Sequence, residues 1–428
     1  MRSERVEQGR SINMTLSTRG LHALENVGLG LVDAILQKSV PVKGRMIHAF
    51  NGELMFQLYG KNDDEILYSF KRHDLNIELM NLAQTFSNVK LFFNKRCVRV
   101  EKNSGTVHIL DQQTNQMFCV NSDFIIGADG AFSTIRQQMQ RGERADYYQE
   151  FLDCGYKELT IPSSSNSSLM LENKALHIWP RGKCLLLAWP NLDSSLTCTL
   201  ILPFEGDPSF ASLKTESDVL TFFKANFDDV ITLIPTLVDE FLRSRTAEFT
   251  TINTSRWYYN DRIVLLGDAC HAVYPFYGQG MNAAFEDCLV LNDCIGKYLK
   301  NWELAFMEYQ KLRKPNTDIL AQLSKQNFVE LRDKAKSPLF IAQKEANILL
   351  NRLLPKLWFP LYTLIVHTTM PYSDALKRYK LQNSVAKLLG IDVLIIIIAA
   401  LIIIKGFIKA SVPTITKNYK KLLLSDIH

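Results

Sequence analysis

A carboxylate at the end of a buried strand, followed by small residues, a proline and a Gly-x-Gly turn opening a helix, suits the holding of a large polar ligand. Residues 262–288, RIVLLGDACHAVYPFYGQGMNAAFEDC, read this way. Ile263 to Leu266 is an apolar run fit for a short strand buried on both faces of a parallel sheet. Asp268 stands just past its carboxyl end, where open α/β sheets bind ligands. Gly278 and Gly280 permit positive φ and close packing, and Met281 to about Lys300 has helical periodicity. The free amides at that helix start add partial positive charge on the same side.

A second stretch, FIIGADGAFSTIR at residues 124–136, has the same logic: an apolar strand, a Gly-Ala-Asp-Gly turn, and Ser133 placed to cap a helix with Arg136 at its third position. Taken singly, each stretch also has an ordinary reading as a strand-to-helix junction. Together, GADGxxSxxR followed by GDA, Pro and GQGMN resemble the two flavin motifs of the class A flavoprotein monooxygenases. That resemblance implies that Asp268 bonds the ribityl hydroxyls and that amides around Met281 and Asn282 face the pyrimidine edge, where they would stabilise a reduced flavin's charge. It also implies that Asp129 and Arg136 lie near the pyrophosphate and the nicotinamide path.

Further stretches are similar to the kynurenine 3-monooxygenase family: RSIN at 10–13, RMIHA at 45–49, HIWPR at 177–181, FYGQGMN at 276–282 and PLYT at 360–363. An α-amino acid with an aminophenyl ketone needs a carboxylate clamp and an aromatic slot, and Arg45 offers a planar fork for the carboxylate. By resemblance, Tyr59, Asn327 and Tyr362 assist it. The resemblance also carries over Thr15, Arg72, the backbone near Cys97, Asp129, Asp268, Gly280, Met281 and Asn282 as cofactor contacts. The implied reaction uses FAD, NADPH and O2 to convert L-kynurenine to 3-hydroxy-L-kynurenine through a flavin hydroperoxide. On this reading no side chain is catalytic in its own right, His271 is not a general base, and no metal is required, because the flavin carries the chemistry.

The elements that must position these residues follow from periodicity. Met46–Phe50, Leu54–Leu58 and Ile66–Ser69 read as strands, the first two joined at Asn51-Gly52. Arg72 to about Phe86 reads as a helix with Leu75, Leu79 and Leu82 on one face, and Lys90–Phe93, Val98–Glu101 and Thr106–Asp111 as a meander. Alternating patterns at 175–179, 185–189 and 196–202, then a helix from Ser217 to Asn226, are expected to join the 45–69 strands in a mixed sheet roofing the flavin. Ser163 to Ser168 is a polar loop, and Leu16–Leu29 carries a helical pattern. After Lys300 the chain reads as mostly helical, with Pro315, Pro338, Pro355, Pro360 and Pro371 as breaks.

Only nine residues precede Arg10, fewer than the roughly 30 that a GxGxxG-bearing βαβ unit needs. The chain is therefore expected to be an N-terminally truncated product, a variant or an incomplete gene reading, or else to dispense with the dinucleotide end of the cofactor. Near the other end, 388–404 has Asp392 as its sole charge, and its length meets the lower limit of about 17 to 25 residues for a spanning helix. A membrane anchor is expected there, and by resemblance the outer mitochondrial membrane with the catalytic body facing the cytosol.

The net charge of +5 and the lack of a basic run interleaved with aromatics before the last 50 residues argue against nucleic-acid binding. Eight cysteines without a CxxC pair read as reduced thiols. The expected architecture is α/β: a p-hydroxybenzoate-hydroxylase-like FAD-binding fold with an incomplete Rossmann-type sheet, a mixed β-sheet substrate domain, a C-terminal helical region and a membrane segment. Its parts would be residues 1–44, 71–149 and 254–330 for FAD, 45–70 and 150–253 for substrate, 331–387 helical, 388–408 transmembrane and 409–428 a basic tail. Two alternatives stay open, another class A aromatic hydroxylase and a non-catalytic membrane-tethered form that binds FAD poorly. Oligomeric state is open too, with a homodimer among the options.

Overall fold

The computed structural model of the chain describes residues 13–60, 65–163, 172–334, 337–388 and 390. At its centre the apolar strand Ile263–Leu265 is completely buried and pairs in parallel with Ile125–Gly127, while Tyr258–Tyr259 flanks its other edge antiparallel. Gly127 has to be glycine, since a Cβ there would lie 2.8 Å from Leu265 and 2.9 Å from Ile135. The helix Thr134–Gln140 follows as expected, its first turn capped by Ser133 Oγ accepting from Arg136 N at 2.8 Å.

A seven-stranded mixed sheet stands beside this unit. Its order is Ala247–Thr254, Tyr147–Ile161, Leu196–Pro203, Cys184–Pro190, Ala175–Arg181, Gly44–His48, Leu54–Leu58. All neighbours are antiparallel except Ala175–Arg181 with Gly44–His48. The side-chain period of two sends Ile178, Leu185 and Ile201 into one apolar cluster, and Trp179, Leu186 and Leu200 into another under the helices Glu216–Asn226 and Leu237–Arg243. Both faces are covered, so these strands are nearly unbroken apolar runs rather than the alternating patterns expected of them.

Several expectations shift. The strand foreseen at Ile66–Ser69 runs Leu67–Lys71 and leaves the large sheet to sit between Asn13–Leu16 and Val40–Val42. Leu16 closes the strand Asn13–Leu16 rather than opening a helix, and the helix is Thr18–Val27. The apolar residues run on from strand into helix, so periodicity alone hides the join. Lys90–Phe93 forms no strand, and Phe92 is 74% exposed with no ladder to join. The third strand of that small sheet is Gln116–Asn121, absent from the expected meander although Met117–Val120 is an apolar run, and its side chains are exposed along its whole length.

Pro315 does not end a helix but lies inside Trp302–Val329. A proline there removes one backbone bond at a cost of about 3 kcal/mol. Tertiary bonds flank it on either side: Arg313 bonds Glu286 and Asp287, and Asn316 Oδ1 accepts from Ser373 N at 2.9 Å. After the short turn Glu330–Lys334 the described helices are Pro338–Leu353, Leu361–Val366 and Tyr372–Leu388. All eight cysteines are free, as expected. The polar loop at 164–168 lies outside the described residues, as do the proposed tail at 409–428 and, apart from Leu388 and Gly390, the apolar stretch 388–408. Among the described residues no helix is long and apolar enough to cross a membrane.

Candidate functional site

A cavity of about 580 Å³ lies between the seven-stranded sheet and the Gly278–Met281 turn. Arg45, Tyr59, Asn327 and Tyr362 line it together with Thr15, Arg72, Asp268, Gly280 and Met281. These nine residues span eight elements or loops of the chain, and the fold brings them to one wall-to-wall space.

Arg45 is placed by its strand, in register with Gln57 on one neighbour and Leu176 on the other. Its guanidinium lies 5.2 Å from the Tyr59 ring centroid and 5.7 Å from that of Tyr362. The Tyr362 ring stacks between Tyr59, at 5.5 Å, and Tyr277, at 5.7 Å. Burial pushes all three phenols up, and the Arg45 cation offsets only part of that, so they stay neutral. Asn327 is fixed by donating from Nδ2 to Phe276 O at 2.7 Å. Leu187, Ile201, Phe249 and Phe276 complete an apolar lining suited to a flat ring.

Asp268 follows Gly267, whose φ of 61° turns the chain sharply out of the strand. Its side chain is open to the cavity but ringed by protein. Burial pushes its carboxyl up, His271 and Arg72 pull it down, and Asp287 adds to the rise. Gly278, at φ 64°, admits Thr15 so closely that a Cβ would stand 2.6 Å from Thr15 Oγ1. Behind that turn Asn282 is fully buried. Its Nδ2 donates to Thr15 O and Gly278 O at 2.8 Å each, and its Oδ1 accepts from Ser17 N at 2.9 Å. The Asn282 side chain is thus committed to holding the turn, and is not part of the cavity wall.

Two further expected cofactor residues, Asp129 and Cys97, stand away from the wall. Asp129 accepts from Ser133 Oγ at 2.5 Å and from Ile135 N at 3.1 Å, which commits its carboxylate to a helix start. Cys97 lies on Lys95–Glu101, where burial and the nearby Asp129 push its thiol up. Arg136 is buried and donates to Ala269 O and Ala131 O at 2.7 Å each, so it rivets one motif to the other.

Sequence reasoning missed a buried ionic ladder beneath Asp268. His271 Nε2 meets Asp287 Oδ2 at 2.5 Å, Arg313 Nε donates to Asp287 Oδ1 at 2.7 Å, Arg313 also bonds Glu286, and Glu286 bonds Arg19. One signal for it existed. Asp287 shares a helix face with the buried residues Ala283 and Leu291, four positions away on either side. Cys270, His271 and Asp287 offer ligand atoms within 4.8 Å of one another, a spacing open to a metal ion. The Arg313 cation already bonded to Asp287 opposes a second positive charge there.

The residues present fit a flavin. Asp268 supplies an acceptor for hydroxyls, the Gly280–Tyr298 helix start supplies free amides, and the cavity between them accepts a ring system. The FAD binding domain family matches residues 2–316. The chain is 44% identical to the kynurenine 3-monooxygenase of Salinispora tropica over 393 residues, covering 92% of this chain and 86% of that one. It is 42% identical to the enzyme of that name from Flavobacterium johnsoniae, covering 88% and 83%. With the one from Dictyostelium discoideum identity is 40%, covering 86% and 82%.

Among solved structures, 2-methyl-3-hydroxypyridine-5-carboxylic acid oxygenase superposes with a TM-score of 0.62 at 21% identity, covering 78% of this chain and 86% of that one. Klebsiella pneumoniae HpxO, complexed with FAD and uric acid, gives 0.61 at 19%, covering 78% and 82%. These two establish the fold. The sequence relatives also correct one expectation. Salinispora and Flavobacterium are bacteria without mitochondria, so this resemblance does not carry the outer mitochondrial membrane with it.

Proposed function

The chain belongs to the kynurenine 3-monooxygenase family, within the wider FAD binding domain family, and from that premise we propose that it hydroxylates L-kynurenine to 3-hydroxy-L-kynurenine with FAD, NADPH and O2. The observation that carries the reading is the single cavity shared by Arg45 and Asp268. One residue is suited to a substrate carboxylate and the other to a cofactor hydroxyl chain.

Bound FAD, reduced by NADPH, supplies the activation of O2 and the delivery of one oxygen atom to the aromatic ring. The protein's own residues do the rest. Asp268 accepts from the ribityl hydroxyls, and Thr15, Arg72, Gly280 and Met281 border the same part of the cavity. The amides opening Gly280–Tyr298 favour the negative charge of the reduced ring. Asn282 keeps those amides in place by tying Gly278 to Thr15. Cys97 and Asp129 act at one remove, by shaping the strand and helix start that Arg136 joins to Ala269.

Arg45 forms a paired hydrogen bond with the α-carboxylate, while Tyr59, Asn327 and Tyr362 complete the amino-acid clamp. The apolar lining holds the aminophenyl ring and keeps water out, which protects the oxygen-transfer step from hydrolysis. In this reading residues 45–70 and 150–253 form the substrate side, and 1–44, 71–149 and 254–330 the cofactor side.

Removing Arg45 tests it. An Arg45→Met variant loses a charge-assisted pair worth about 3 kcal/mol, so kynurenine affinity falls roughly a hundredfold. Calorimetric titration of the FAD-loaded chain should show that fall with the flavin spectrum retained. Unchanged affinity would remove Arg45 from the clamp and the reading with it.

A further inference from the structure

Arg19 is 1% exposed, on the helix Thr18–Val27, and no part of the proposed chemistry uses it. Its guanidinium faces two ways. One nitrogen bonds Glu286, on the helix that opens at the Gly278–Met281 turn. The other donates to Met370 O at 2.6 Å and Thr368 O at 3.4 Å, and the first also reaches Thr369 O at 3.4 Å. Three consecutive carbonyls of one connecting segment therefore converge on a single buried cation. That segment joins Leu361–Val366, which carries Tyr362, to Tyr372–Leu388.

Two more contacts run the same way. The Arg19 guanidinium lies 4.0 Å over the Tyr372 ring, and the Tyr372 hydroxyl donates to Gln279 Oε1, inside the turn itself, at 3.1 Å. Glu286 is held in turn by Arg313, which also grips Asp287, and Asp287 meets His271 three residues from Asp268. A continuous charged path thus joins the backbone that carries Tyr362 to the loop that carries Asp268. The segment 368–370 offers three carbonyls to a cation where ordinary packing would need none.

We propose that Arg19 is a positioning residue that sets the substrate clamp and the flavin loop in register with each other, by holding carbonyls 368–370 against Glu286. The inference rests on the reading of Tyr362 as part of the kynurenine clamp. Without the Arg19 fork the Leu361–Val366 helix keeps its fold and its apolar packing, but Tyr362 no longer has a fixed distance to Arg45. Lysine in its place keeps the charge opposite Glu286 and lacks the planar fork needed to reach the carbonyls as well.

The test is a double-mutant cycle on the FAD-loaded full chain, read as kynurenine Kd by calorimetry without NADPH. Arg19→Lys should raise Kd about tenfold, and amide exchange across 361–370 should quicken while that of the sheet strand 196–203 does not. In a Tyr362→Phe background the same substitution should raise Kd less than twofold, because its effect passes through Tyr362. An equal tenfold effect in both backgrounds, or no change in exchange at 361–370, overturns the proposal. If Arg19→Lys fails to fold, Tyr372→Phe removes only the hydroxyl to Gln279 and should raise Kd about threefold; no rise overturns it. Should Arg45→Met leave kynurenine binding intact, the clamp reading fails separately, and the exchange measurement alone then decides whether Arg19 holds 361–370.

Discussion

Two buried histidines in this protein have opposite fates. His271 and His177 are 3% and 0% exposed. Burial pushes both down, but for His271 the Asp287 carboxylate at 2.5 Å more than reverses that, and its pKa ends well above the ordinary value. His177 meets no carboxylate. It faces His48 at 2.9 Å and the Glu172 carbonyl at 3.0 Å, and burial takes it down to about 4. A carbonyl oxygen accepts only, so the neutral His177 ring donates from Nε2 and accepts at Nδ1 from His48.

The two sites sit in regions built differently. Around the flavin loop, paired full charges hold four helices in a fixed arrangement. Beneath the far face of the large sheet, Trp179, Leu186, Phe223 and Phe241 make an apolar layer in which a neutral imidazole is tolerated. Charge gives direction, which a loop bearing a cofactor ligand needs. Apolar packing gives cohesion without direction, which suffices for a sheet.

The largest expected effect breaks the charged region. Asp287 is 0% exposed and bonded to both His271 and Arg313. Asp287→Asn leaves two buried cations short of a counter-charge, and unfolding free energy in urea should fall by about 3–5 kcal/mol. A fall below about 1 kcal/mol would mean that solvent or Glu286 makes good the loss, and the contrast between the regions would collapse.

The next effect is acid lability in the neutral region. A histidine whose folded pKa lies below its unfolded one contributes stability that is present above the unfolded value and is lost as pH falls. For His177 the window runs from 6.5 down to about 4. Over it the wild type should lose about 3 kcal/mol, which a His177→Gln variant does not lose. Urea unfolding of both chains across that range measures the difference. His271 has the reverse sign: its contribution is full below 6.5 and is lost as pH rises through its raised folded value, so a His271→Gln variant should flatten the alkaline limb.

The two regions also differed in how far the sequence disclosed them. Ile263–Leu265 and the Ser133 cap were readable because a buried strand and an N-cap leave local marks. Arg45 and Asp268 stood out by type and context, but nothing local puts them in one cavity 223 residues apart, which comes from the parallel pairing of Gly44–His48 with Ala175–Arg181 and its neighbours. The ladder of Arg19, Glu286, Asp287, Arg313 and His271 was not legible as a unit, because its rungs come from four helices; only Asp287, on the buried face with Ala283 and Leu291, left a local mark. Lys90–Phe93 misled for the converse reason: its apolar residues have no strand beside them to bond.

The smallest effect sharpens the contrast at a carboxylate that borders the apolar region. Trp179 donates from Nε1 to Asp229 Oδ2 at 2.7 Å, and its ring stacks on His48 at 3.9 Å. Trp179→Phe removes the donor and keeps most of the ring. Asp229 is itself 44% exposed, so water replaces the lost N–H, and the net loss should be about 1 kcal/mol where the loss of a partner around Asp287 costs several times more. Kynurenine Kd should not change, because Trp179 faces away from the cavity that Ile178 lines. Measuring urea stability and kynurenine affinity on the same preparation separates the two claims. A loss above about 3 kcal/mol would make Asp229 as dependent on its partner as Asp287, and a shift in Kd would show that the far side of the sheet reaches through to the clamp.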